Sequence, residues 1–142
     1  MFLKNNLEIL IVVVLIMLGL SVVLGAFGSH GLKGLLTPNM LDVYHTACQY
    51  LSIHSLGLFL ILILNITTKF KISKASIYSL LFGVLIFSST LILISISELL
   101  NMLWMKKLGM ITPIGGVLMV LGYLLASLNV LKSIRSQTWQ NN

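Results

Sequence analysis

Four long apolar stretches separated by short polar segments limit this chain most, because a helix needs about 20 mostly apolar residues to cross a hydrocarbon layer. Only 8% of the 142 residues are charged and 58% are hydrophobic. An ordinary soluble domain is about 25% charged, so this composition does not fit a water-soluble fold. The length holds four spans with short connections and no further domain. Residues 1–142 are therefore expected to form one all-α unit, an integral membrane four-helix bundle of antiparallel, up-down topology with the lipid bilayer as its solvent.

The net charge of +6 does not point to nucleic acid, since no basic run is interleaved with aromatics and the basic residues fall largely just outside the apolar segments. Cys48 is the only cysteine, which rules out an internal disulfide or a thiolate cluster and suits a small buried apolar position. Lys4 followed by the apolar run Leu7 to Leu24 has the outline of a signal peptide. The run is too long for a signal core and lacks a clear small-x-small cleavage site, so it is expected to stay as the first helix.

The spacing predicts helices over about 7–28, 38–66, 75–98 and 112–131. Glycine recurs at positions 25, 28, 31 and 34, which weakens a helix and suits a helix end passing into a tight, closely packed turn. Thr37 and Pro38 form a start signal for the second helix, a capping hydroxyl followed by a proline whose missing N–H costs nothing there. That helix would measure roughly 43 Å, longer than the hydrocarbon layer, so its first two turns are expected in the interface. Ile111-Thr112-Pro113 repeats the Leu36-Thr37-Pro38 pattern and suggests two similar hairpins.

With four spans, Lys4, Lys69, Lys71, Lys74, Lys132 and Arg135 share one side and Lys33, Lys106 and Lys107 the other, which favours both termini in the cytoplasm of a cell (inner) membrane protein. Lipid supplies no hydrophobic drive between helices, so close approach of small residues must provide the attraction. Ser76, Gly83, Thr90 and Ser97 recur every seven residues, as do Gly115, Gly122 and Asn129, with Ala126 four after Gly122. A seven-residue repeat keeps one seam facing a partner, so Gly83, Gly115, Gly122 and Ala126 are expected at helix contacts.

In this topology His30, Lys33, Asp42, His45 and Glu98 all belong to the outer half or outer loops. At about 100° per residue, Asp42, His45, Thr46 and Gln49 share roughly a third of one helix, with Tyr50 at the edge of the stripe and His54 just beyond. One reading has this stripe face the bundle interior and, with His30 and Glu98, line a polar cavity, since ionisable groups at membrane depth often mark sites. The other makes Asp42 and His45 interfacial, has His30 close a turn, and uses Gln49, Tyr50 and His54 for bonds between helices. His45 and His54 lie about half a turn out of phase and cannot share an ion, and Asp42-x-x-His45 lacks the further carboxylates of a di-iron bundle. No metal or cofactor is expected. No serine nucleophile with its base, and no strand-linked phosphate loop, is recognisable, so an enzyme is not expected either.

Three motifs, Gly25-Ala-Phe-Gly-Ser-His-Gly-Leu-Lys33, Tyr50-Leu-Ser-Ile-His54 and Thr112-Pro-Ile-Gly-Gly116, resemble the YgdD/YwdK-like family of small four-span bacterial membrane proteins, which also has animal relatives. The resemblance covers most of the chain and implies the fold and a membrane location, without an activity to carry over. Family members tend to have Gly-Ser-Leu-Tyr where this chain has Ser88-Ser89-Thr90-Leu91, and a tryptophan where Tyr123 stands. The functional expectation is a non-enzymatic structural or accessory subunit, partnered by another membrane protein or by itself. The alternative is a small oligomeric transporter or channel component with a polar site near the outer face.

Overall fold

The computed structural model describes residues 2–140, with side chains over 7–137. Lys4, counted above for orientation, lies outside the described side chains. Four α-helices follow in order, α1 (Phe2–His30), α2 (Pro38–Thr67), α3 (Lys74–Ser95) and α4 (Thr112–Gln140), with a 3-10 helix, Leu103–Met110, between the last two. Each α-helix is long and apolar enough to cross a membrane, α1 being the most apolar at a mean hydropathy of 3.1. The outside shows which solvent the fold suits. Ile9, Ile16, Val22 and Val23 are more than half exposed, while Ser55, Ser76 and Ser95 are fully buried, an arrangement stable in lipid rather than water.

The helices pack mainly in chain order, α1 on α2, α2 on α3 and α3 on α4. One core joins all four, through Val14 and Met17, Leu58 and Leu62, Leu80 and Val84, and Met119 and Ala126. At the far end of the α1–α2 pair, Leu32, Tyr44 and Cys48 form a second apolar plug. Gly28 makes that plug possible, because a Cβ there would stand 2.7 Å from the Tyr44 ring, and the Tyr44 hydroxyl donates to the Leu24 carbonyl at 3.1 Å. The chain then reverses through Gly34 at φ +94°, a left-handed conformation that favours glycine.

Helix ends depart from the sequence expectation in several places, beginning with α1, which starts at Phe2 rather than about 7 and ends at His30 rather than about 28. The α3 helix stops at Ser95 rather than near 98, where Ser95 and Ser97 hydroxyls donate to the Ile92 and Ile94 carbonyls and Asn101 turns to φ 54°. Bonds from side chain to backbone of this kind compete with the helical ladder. The 3-10 helix that follows was not anticipated; it buries Met105 and leaves Leu103 and Trp104 about 60% exposed, as suits an element in the membrane interface. Lastly, α4 runs to Gln140 instead of about 131, since residues 132–140 contain neither glycine nor proline and a polar surface does not end a helix that has left the hydrocarbon.

The two Thr-Pro signals also part company. Thr37 accepts from the Met40 N–H as a cap at 3.4 Å. Thr112 is itself the first residue of α4, and its hydroxyl bonds that of Thr90 on α3 at 2.9 Å. The second signal thus joins two helices, because the 3-10 helix delivers the chain into α4 directly against α3.

Candidate functional site

The anticipated polar residues do not share one site. Asp42, Thr46 and Gln49 lie on the side of α2 away from buried Tyr44, Ala47, Cys48 and Leu51, with the Thr46 hydroxyl donating to the Asp42 carbonyl at 2.9 Å. The stripe therefore faces outward rather than into the bundle. His45 is half-buried at the rim of the Tyr44 plug, its ring edge-on to Tyr44 and close to Gly28. His30 is exposed at the end of α1.

Glu98 stands apart from all of these. It is exposed beyond α3 and pairs with Lys106 of the 3-10 helix at 2.7 Å. Half-exposed ion pairs of this kind contribute little, and this one ties the 3-10 helix to the turn before it.

Tyr50 and His54, one helical turn apart on α2, point toward α3 and α4 instead. The Tyr50 ring stacks on Phe87 of α3 at 4.5 Å, and His54 Nδ1 lies 3.0 Å from the Tyr123 hydroxyl of α4. Gly57 admits the phenol, since a Cβ there would collide with the Tyr123 hydroxyl. The pair bridges α2 and α4 and separates two grooves. One, of about 330 Å³, is lined by Tyr50, His54, Phe87, Gly116, Met119 and Tyr123. The other, of about 590 Å³, runs along Leu60, Leu64, Ala126 and Val130 and is apolar.

Residue types alone did not reveal this bridge. Tyr123, Phe87, Gly57 and Gly116 are inconspicuous in an apolar sequence; the available signal was a tyrosine in the middle of a span, three residues from each of the α4 helix's Val120 and Ala126, with no polar neighbour beside it. A polar aromatic at that depth needs a partner, and His54 was a candidate.

The packing residues sit on the α3–α4 seam. A Cβ on Gly83 would lie 2.9 Å from the Gly115 carbonyl oxygen, one on Gly115 2.7 Å from the Phe87 nitrogen, and one on Gly122 2.9 Å from the Leu80 nitrogen. Along the same seam the Ser76 hydroxyl donates to the Gly122 carbonyl at 2.7 Å and Asn129 Nδ2 donates to the Ser73 hydroxyl at 3.2 Å. Ala126 is buried on the same helix. Among the described residues, no group of three His, Cys, Asp or Glu side chains is placed to hold a metal ion.

Four apolar helices, a surface of exposed aliphatic side chains around buried serines, and backbone contacts at glycine define a multi-pass helical membrane protein. The chain belongs to the family described as Protein of unknown function (DUF423), whose model matches residues 24–116. It is 35% identical over 115 residues to the UPF0382 membrane protein SH2409 of Staphylococcus haemolyticus, covering 81% of this chain and 88% of that one. It is 36% identical over 107 residues to the UPF0382 membrane protein YwdK of Bacillus subtilis, covering 75% and 82% respectively. No solved structure matches. The family match takes in the Tyr44 plug, α2 and α3, and ends at Gly116, before Tyr123.

Proposed function

We propose that this chain is a non-enzymatic accessory subunit of the cell membrane, with both termini cytoplasmic, that docks another membrane protein through the outward face of α2. The outward stripe of Asp42, Thr46 and Gln49 carries this reading. The α2 helix has 30 residues, about 45 Å at 1.5 Å per residue. With its Thr67 end at one boundary of a hydrocarbon layer about 30 Å thick, Gln49 falls just inside the other. A primary amide turned toward hydrocarbon is costly unless another protein supplies its hydrogen bonds. The same outward direction argues against a path for ions through a single subunit, which would need the stripe inside.

A photo-crosslinking residue at position 49, followed by purification in mild detergent and mass spectrometry, tests the reading. One recurrent protein partner is expected, and Gln49→Leu should reduce its recovery. Recovery of this chain alone would count against an accessory role. Reporter fusions at the two termini and in the segment after α3 test the orientation, which requires both termini to report from the cytoplasm.

A further inference from the structure

The groove beside the His54–Tyr123 bridge has the makings of a ligand site, independent of the docking face on α2. Two of its side-chain polar atoms carry no hydrogen bond among the described residues, the Tyr50 hydroxyl and one nitrogen of His54. Nδ1 is occupied by Tyr123, and among the described residues nothing bonds Nε2. The direction of the Nδ1 bond decides what Nε2 offers. If Nδ1–H donated to the phenol oxygen, the phenol hydrogen and the Nε2 lone pair would both go unmatched. If the phenol donates to Nδ1, a single N–H is left over, on Nε2, and the site keeps fewer unsatisfied groups. His54 lines the groove of about 330 Å³, so that N–H and the Tyr50 hydroxyl, itself a donor, are its polar features. What fits there must bring an acceptor.

Two further features narrow the acceptor. Beside His54 stand the rings of Tyr50 and Phe87, stacked on each other, whose remaining surfaces line the groove and favour a flat guest. Depth supplies the other constraint. His54 is 16 residues from the start of α2 and 13 from its end, and Phe87 is 13 residues from the start of α3 and 8 from its end, so the groove lies near the middle of both spans. The ester carbonyls of a phospholipid stay at the edge of the hydrocarbon, about 15 Å from its centre, and do not reach that depth. A carbonyl on a flat apolar ring does.

We propose that this groove binds the head of a membrane-dissolved quinone, the ring lying against Tyr50 and Phe87 and one carbonyl accepting from His54 Nε2–H. Gly116 leaves the space for the ring, since a Cβ there would only just touch Phe87 at 4.0 Å. Val120, 58% exposed, stands at the mouth, where an isoprenoid tail leaves for the lipid.

The full chain in phosphatidylcholine nanodiscs, titrated with decylubiquinone carrying a carbon-13 carbonyl, tests this. Saturable binding is expected, with a downshifted carbonyl stretch in the infrared that His54→Leu abolishes while weakening binding about tenfold, the value of one hydrogen bond. Gly116→Leu and Val120→Phe should each remove binding by filling the groove, with helical circular dichroism and melting temperature unchanged; two separate variants keep the result clear of a folding defect. Dodecylbenzene, a ring without an acceptor, should not compete. The proposal is overturned if decylubiquinone partitions equally into wild type and both filled variants, if His54→Leu binds it as wild type does, or if native mass spectrometry finds a retained phospholipid that decylubiquinone cannot displace.

Discussion

The two working sides of α4 are built on opposite terms. Toward α3, side chains are removed so that backbones meet, with Gly83, Gly115 and Gly122 leaving less than 3 Å between an added methyl and the facing chain. Toward α2, the bulky Tyr123 stays, and the helices meet through one phenol–imidazole bond with a groove on either side. Adjacent residues divide the two regimes: Gly115 is in backbone contact and Gly116 faces open groove. Close packing by glycine yields affinity between helices without room for a guest, whereas a side-chain bridge yields room at the expense of contact.

Substituting the two neighbouring glycines gives the strongest test of that contrast. Gly115→Ala sets a methyl against the Phe87 backbone, which cannot step aside, and should cost about 2–3 kcal/mol in unfolding by denaturing detergent. Tyr44→Phe, which removes the bond to the Leu24 carbonyl but keeps the ring against Gly28, should cost about 1 kcal/mol by the same assay. Ser76→Ala, which loses the donor to the Gly122 carbonyl, is expected near 0.6 kcal/mol, roughly the mean for hydrogen bonds between membrane helices. Ser88→Ala should be neutral or slightly stabilising, because that hydroxyl is buried with no hydrogen bond among the described residues. Gly116→Ala, with room for the methyl, should bring no loss and a gain of up to about 1 kcal/mol, since alanine favours a helix over glycine. Equal losses at Gly115 and Gly116 would break the contrast.

The packing seam was legible because it is periodic. Ser76, Gly83 and Thr90 on α3, and Gly115, Gly122 and Asn129 on α4, repeat every seven residues, and small residues in a membrane helix have few uses other than close approach. The polar stripe was legible only as an arc. That Asp42, His45, Thr46 and Gln49 share one side of α2 follows from helical geometry, but whether that side turns inward depends on the angle at which α2 meets α1. The close approach of Gly28 to Tyr44 is one of the contacts behind that angle. Glu98 looked available to the stripe and is instead occupied locally by Lys106, held there by a 3-10 helix of eight residues.

The sequence by itself determined the solvent, the four spans, the start of α2 at Thr37-Pro38 and the face on which α3 meets α4. Each follows from local chemistry: apolar length, a capping hydroxyl, a heptad of small side chains. The tertiary structure alone decided that the α2 stripe faces outward and that His54 meets Tyr123, 69 residues away. Those facts depend on rotations and tilts of whole helices. Such rigid-body terms are set by the sum of many weak contacts, and no single residue pattern encodes them.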